Sequence, residues 1–195
     1  MSTDRAPEIQ PMGTPNPRSV KFLTDRTLVA VGSADFRTPE SCVRSPLAAR
    51  LFDLDHVSGV FICQNFVTVT ADNDEHWAEL SPTVVDALGA HLAADEPILV
   101  DSDEATDEGA ESGAGPDAGT SEVETKIREI LDQQIRPAVA MDGGDIKFVE
   151  FVDGVVRLKM QGACGGCPSS TATLKQGIEA RLRHFIPQVQ SVEAV

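Results

Sequence analysis

Between positions 101 and 120 the chain reads DSDEATDEGAESGAGPDAGT, a run of small, turn-forming and acidic residues with no basic group and no large apolar side chain. Such a segment can bury almost nothing, and its like charges repel one another, so it behaves as a flexible spacer of about 25 Å or more. It divides 195 residues into two pieces and removes any single continuous core. The expected organisation is a disordered arm over 1–14, a domain over 15–100, the acidic linker over 101–120 and a second domain over 121–195. Prolines at 7, 11, 15 and 17 support the arm, since each fixes φ and lacks an N–H to pair.

Charge narrows the partners. The formal net charge is −15, and residues 126–195 are close to neutral while 101–125 carry acid without base. No basic face is available for a nucleic acid or an anionic membrane, so neither is expected as a partner. No apolar run approaches the roughly 18 residues of a membrane span. The opening MSTDRAPEIQPMGTPNP has no apolar leader core, and Asp4 and Glu8 disfavour a transit peptide. Four cysteines are too few for a disulfide scaffold. The expected location is the reducing cytoplasm, with free thiols.

In the first domain, SVKFLT and TLVAVGS read as strands, PLAARLFDL as a short helix, and VSGVFICQNFVTVTAD as two strands folded about Gln64-Asn65. In AELSPTVVDALGAHLA the apolar positions Val84, Val85, Leu88 and Leu92 recur at helical spacing, with Ser81 as N-cap and Pro82 at the first helical position. The expected order is ββαββα. In the second domain, Ser121 and Glu124 form a capping box before a stripe of Val123, Ile127, Ile130, Leu131 and Ile135 that ends at Arg136-Pro137. IKFVEFV and VVRLKMQG follow as an antiparallel hairpin turned by Asp153-Gly154, suited to a type I′ turn. A helix from Pro168 carries Leu174, Ile178, Leu182 and Phe185, and VQSVEAV is a short strand-like tail. The order is αββαβ. The fold class is α+β, two small domains that each pack an antiparallel sheet with helices.

Chemistry concentrates at Cys164-Gly165-Gly166-Cys167, between the second hairpin strand and the helix beginning at Pro168. Unpaired N–H groups and the positive end of the helix dipole favour anions there, so both thiols are expected to ionise more readily than a free thiol. Gly165 and Gly166 keep side chains out and let backbone N–H groups approach an anionic ligand. Three uses fit: a dithiol redox centre, half of a zinc site, or half of an iron–sulfur site. A thioredoxin-like centre sits on a parallel βαβ framework, whereas an antiparallel hairpin precedes this pair, which disfavours redox use. A metal or cluster needs four ligands, and His184 lies about four helical turns away. A two-fold dimer in which each protomer gives Cys164 and Cys167 supplies all four.

The segment MDGGDIKFVEFVDGVVRLKMQGACGGCPSSTATLK resembles the C-terminal domain of NifU-like (Nfu) iron–sulfur carrier proteins, whose motif is C-x-x-C-P-S-S on a hairpin-to-helix turn. Residues 15–100, including TPNPRSVKF, GSADF, SPLAARLF and GVFICQNFVTV, are similar to the N-terminal domain that accompanies it. The resemblance implies a [4Fe-4S] cluster held between two chains by Cys164 and Cys167, received from an upstream cluster donor and passed to apo iron–sulfur client proteins. It implies a homodimer when loaded and a carrier rather than an enzyme. A dithiol–disulfide oxidoreductase using the same pair and a zinc-bridged structural dimer stand as alternatives.

The remaining candidates have plainer readings. Cys63 is expected in the core and Cys42 as a surface thiol. His56, His76 and His91 lack the spacing of a helical histidine pair and are expected to bind no second metal. Gly143-Gly144 reads as a turn rather than a phosphate cradle, Asp142 and Asp145 as turn caps rather than a catalytic pair, and Ser169 and Ser170 as first-turn hydrogen-bonding groups.

Overall fold

The computed structural model describes residues 6–100, 122–165 and 168–195, with side chains in the last stretch from 171 onward. The expected linker, the Ser121 cap, Gly166 and Cys167 lie outside the described residues, as do the side chains of Ser169 and Ser170. The chain divides into two compact units, Met1–Gly113 and Ala114–Val195.

The first unit runs β1 (Ile9–Gly13), β2 (Ser19–Thr24), β3 (Ala34–Phe36), α1 (Pro46–Phe52), β4 (Val57–Ile62), β5 (Phe66–Ala71) and α2 (Trp77–Ala93). The five strands form one antiparallel sheet in the order β1-β2-β5-β4-β3. Alternation sends Phe22, Val60, Ile62, Val67 and Val69 to one face, where they pack with Leu47, Leu51, Val84 and Leu88 of the helices. Ser45 caps α1 by accepting from the Ala48 N–H at 3.1 Å, while its own hydroxyl donates to the Ile98 carbonyl at 2.7 Å.

Three expectations change here. Ile9–Gly13 is not part of a disordered arm: it pairs with β2, and Pro11 is accommodated because β1 is an edge strand, where a missing N–H breaks no inner ladder. TLVAVGS is a loop, held by the Leu28 N–H donating to the Gln64 carbonyl at 2.7 Å and turned by Gly32 at φ +82°, and the strand comes after it as β3. The order is therefore βββαββα. Helix α2 begins at Trp77 rather than Pro82, because Leu80 is buried in the core and Trp77 packs against the same cluster, its ring 6.3 Å from that of Phe22. Packing outweighs the loss of one interior N–H at Pro82.

The second unit runs α3 (Glu122–Ile130), one π turn (Leu131–Ile135), α4 (Arg136–Met141), β6 (Gly144–Val152), β7 (Val155–Gly162), α5 (Pro168–Phe185) and β8 (Ser191–Ala194). Ile127, Leu131, Ile135 and Val139 line one side of its core against Ile146, Val156 and Leu158 of the sheet and Ile178 and Leu182 of α5. The hairpin turn is as the sequence reads, with Asp153 at φ +51° and Gly154 at φ +83°. The helical stretch does not stop at Arg136-Pro137. The π turn widens the coil just before Pro137, so the missing N–H is absorbed and the helix resumes to Met141. The tail strand β8 pairs with β7 in parallel, so the sheet β6-β7-β8 is mixed rather than wholly antiparallel. The α+β class stands.

Two substitutions separate core from turn in this unit. Leu182→Ala, at a fully buried position, is expected to lower unfolding free energy by about 2–5 kcal/mol. Gly154→Ala forces an L side chain to a positive φ against the flexible Gln190 side chain and is expected to lower it by about 1–2 kcal/mol. Urea midpoints of the two variants in the full chain check the order.

Candidate metal centre

Strand β7 ends at Gly162, whose φ of +65° breaks the strand, and one turn of 3-10 helix, Ala163–Gly165, carries the chain toward α5. Cys164 therefore sits on a strand-to-helix turn. The turn is fixed at both ends: the Ala163 N–H donates to the Gly143 carbonyl at 3.2 Å, and the Thr171 hydroxyl donates to the Cys164 carbonyl at 2.8 Å. Gly143 turns the chain at φ +79°. Gly144, the first residue of β6, lies directly under the thiol: a Cβ there would stand 2.6 Å from Cys164 Sγ and 2.8 Å from the Gln161 carbonyl oxygen. The Gly143-Gly144 pair is thus a turn followed by a seat for the sulfur, and only the turn was legible.

The thiol is 6% exposed. Burial pushes it up from its ordinary 9.0 to about 11, and the Asp142 and Asp145 carboxylates add to the rise. The expectation of an easily ionised thiol is reversed for Cys164. The reason is position: α5 begins four residues later, the dipole's effect fades within a turn, and the sulfur is packed into the protein. Asp145 braces the start of β6. It accepts from Arg136 Nε at 3.1 Å and from the Ile146 N–H at 2.8 Å, while Arg136 also donates to Asp132 at 2.9 Å, which ties α4 to the start of β6.

Because β7 and β8 run parallel with α5 between them, Cys164 lies on the turn of a βαβ unit. This parallel framework is compatible with a dithiol redox centre, contrary to the expectation from the antiparallel hairpin alone. Of the four motif residues, Cys164 and half-buried Gly165 are described, and Gly166 and Cys167 lie outside the described residues.

Cys42 is not a surface thiol. It is 4% exposed within the core of the first unit, where burial raises its pKa. Cys63, expected in the core, is half-buried at the β4–β5 turn. His91 is fully buried, its Nε2–H donating to the Pro97 carbonyl at 3.2 Å, and desolvation lowers its pKa. His56, Asp72 and His76 come together at one end of the first sheet, with a ligand atom of each within 4.8 Å of the others. The sequence held a signal for this, Asp72 and His76 at i,i+4, but a search for paired histidines passes over a mixed pair.

Gly144→Ala is expected to drive the Cys164 sulfur off its seat, lowering unfolding free energy by about 1–3 kcal/mol and speeding alkylation of Cys164, read by mass spectrometry. In the parent chain that alkylation is expected to keep rising toward pH 11 rather than levelling near 9.0. A raised thiol pKa favours the protonated native form, so its stabilisation is complete below the ordinary value and is lost as pH climbs toward the folded one. The pH dependence of stability is expected to be flatter above pH 9.0 in Cys164→Ser.

Against known families, residues 9–95 match the model of the scaffold protein Nfu/NifU N-terminal domain and residues 127–193 match that of the NifU-like domain. The human protein named NFU1 iron-sulfur cluster scaffold homolog, mitochondrial, is 40% identical over 188 residues, covering 96% of this chain and 71% of its own length. NifU-like protein 4, mitochondrial, of Arabidopsis thaliana is 42% identical over 191 residues, covering 95% of this chain and 65% of its own, so the chain spans a little under two thirds of that relative. A solution structure of a NifU-like protein from Saccharomyces cerevisiae aligns at 26% identity and TM-score 0.45, covering 53% of this chain and 92% of that one. The relatives are mitochondrial by name, which overturns the cytoplasmic expectation. Thiol usage separates reducing from oxidising compartments, not one reducing compartment from another. Two domain signatures in sequence order, with 40% identity to a human scaffold across nearly the whole chain, make this protein a member of the NifU-like (Nfu) iron–sulfur cluster scaffold family.

Proposed function

We propose that this protein carries iron–sulfur clusters, holding a [4Fe-4S] unit between two protomers through Cys164 and Cys167 of each and passing it to apo-proteins. The observation that carries the reading is the position of Cys164, a single described thiol on the strand-to-helix turn of the domain that matches the NifU-like model. Its human relative is named an iron-sulfur cluster scaffold. Each protomer's motif offers two thiolates, and a cluster takes four. The cluster is cargo. Loading draws the Cys164 side chain away from Gly144, since a sulfur seated there is closed to a second chain. Delivery is ligand exchange: thiolates of a client replace those of one protomer, no electron is transferred and no small molecule is turned over. The domains of the proposal are 15–100, extended at its start by strand β1, and 121–195 about the linker 101–120, with Gly165 and Gly166 leaving room for the cluster beside the backbone.

A second reading has one observation in its favour, the βαβ placement of the turn. Under it the two thiols form an intramolecular disulfide, giving two protons and two electrons to an oxidised dithiol partner.

Anaerobic reconstitution with iron and sulfide, followed by native mass spectrometry of the parent and Cys164→Ser, tests both. A mass of two chains with four irons and four sulfides is expected in the parent and absent from the variant. A monomer lighter by two hydrogens would support the disulfide instead, and stoichiometric zinc with no transfer to an apo-protein would support a structural dimer.

A further inference from the structure

We propose that His56, Asp72 and His76 form a surface site for one divalent first-row transition-metal cation, separate from the cysteine motif and independent of the cluster-carrier reading. Three different segments supply the ligands. His56 ends the turn between α1 and β4, Asp72 follows β5 directly, and His76 closes the short 3-10 turn that leads into α2. Backbone bonding fixes the first two, with the Asp72 N–H donating to the His56 carbonyl at 2.9 Å.

The geometry is close to a ligand set. His56 Nδ1 lies 3.3 Å from Asp72 Oδ2, and His76 Nε2 lies 3.9 Å from Asp72 Oδ1. Tetrahedral zinc with bonds of about 2.0–2.1 Å separates its ligand atoms by about 3.3–3.4 Å. The widest separation, 4.8 Å or less, closes by rotation of side chains that are 34–53% exposed. Both ring nitrogens flank the Asp72 carboxylate; the imidazoles are stacked, 3.6 Å between centroids and 10° between planes, so one ring turns on binding to bring both in-plane lone pairs onto a shared ion. His56 reaches this stack from φ +71°, a left-handed conformation that a non-glycine residue adopts at a cost.

Two imidazoles and a carboxylate suit iron(II), cobalt(II), nickel(II) and zinc, whereas magnesium and calcium take oxygen ligands. Three protein ligands leave at least one position for water, which makes the site exchangeable rather than structural. Asp53 and Asp55 precede His56 in sequence, and Asp74 and Glu75 precede His76. These acids favour a dication approaching this end of the sheet.

The test uses the full chain with Cys164→Ser and Cys167→Ser, so that motif thiols bind nothing and a failed cluster experiment leaves this one intact. Cobalt(II) is titrated in, followed by visible absorption, and then displaced with zinc while the histidine ring nitrogens are observed by NMR. One cobalt per chain, displaced by zinc, with His56 and His76 both shifted and His91 unmoved, is the expected result. Asp72→Asn and His76→Gln, each checked for folding by circular dichroism, are expected to weaken binding by about tenfold or more. Absence of cobalt binding, binding unchanged in the two folded variants, or equal competition by magnesium would overturn the assignment.

Discussion

The second unit is organised around the contact of one sulfur with one glycine. Gly144 opens β6, Gly162 closes β7, and the two are register partners, so the start of one strand and the end of the next meet where the chain turns toward α5. Cys164 drops into that corner, and any side chain at 144 would meet Sγ on one side and a backbone carbonyl on the other. The backbone carbonyl cannot swing away as a long side chain can. The turn is then clamped from outside by Thr171 on α5 and by the Gly143 carbonyl, and β6 is anchored to the preceding helix through Arg136 and Asp145. Each element adjoining the motif thus touches the corner or braces one that does.

How much of this could be read from the sequence depends on the range of the interaction responsible. The Asp153-Gly154 turn, the β6–β7 hairpin, helix α1 and the strand pair about Gln64-Asn65 are set by residues within a few positions, and they form as their sequences imply. What was missed is decided at long range. Ile9–Gly13 becomes a strand because β2 offers a free edge, and the start of α2 is set by where Trp77 and Leu80 can reach the core. The parallel pairing of β8 depends on α5 crossing the sheet, which no pattern within VQSVEAV records.

The site divides the same way. The motif positions were legible as chemistry, because two cysteines around two glycines have few ordinary uses. The state of Cys164 was not. Local reasoning placed it in the field of a helix N-terminus, whereas tertiary packing buried it, and desolvation of a thiolate outweighs a dipole acting from beyond the first turn. The histidines fail locally for a related reason: His56 is sixteen positions from Asp72, and only the β4–β5 hairpin brings them within 3.3 Å.

A carrier must satisfy opposed requirements, and the corner at Gly144 bears on both. An open pair of thiolates would bind metal readily but would also oxidise readily when empty, since thiolate character and exposure govern that reactivity. A sulfur seated on Gly144 and packed in the core is protected, and van der Waals packing rather than a covalent bond or an ion pair holds it there. Contacts of that kind are individually weak. Bonding of four thiolates to a cluster outweighs the packing of one side chain, so under the proposed function loading need not unfold the domain, only turn the Cys164 side chain out of its seat. The clamps at Thr171 and Gly143 bound that shift by holding the backbone while the side chain moves.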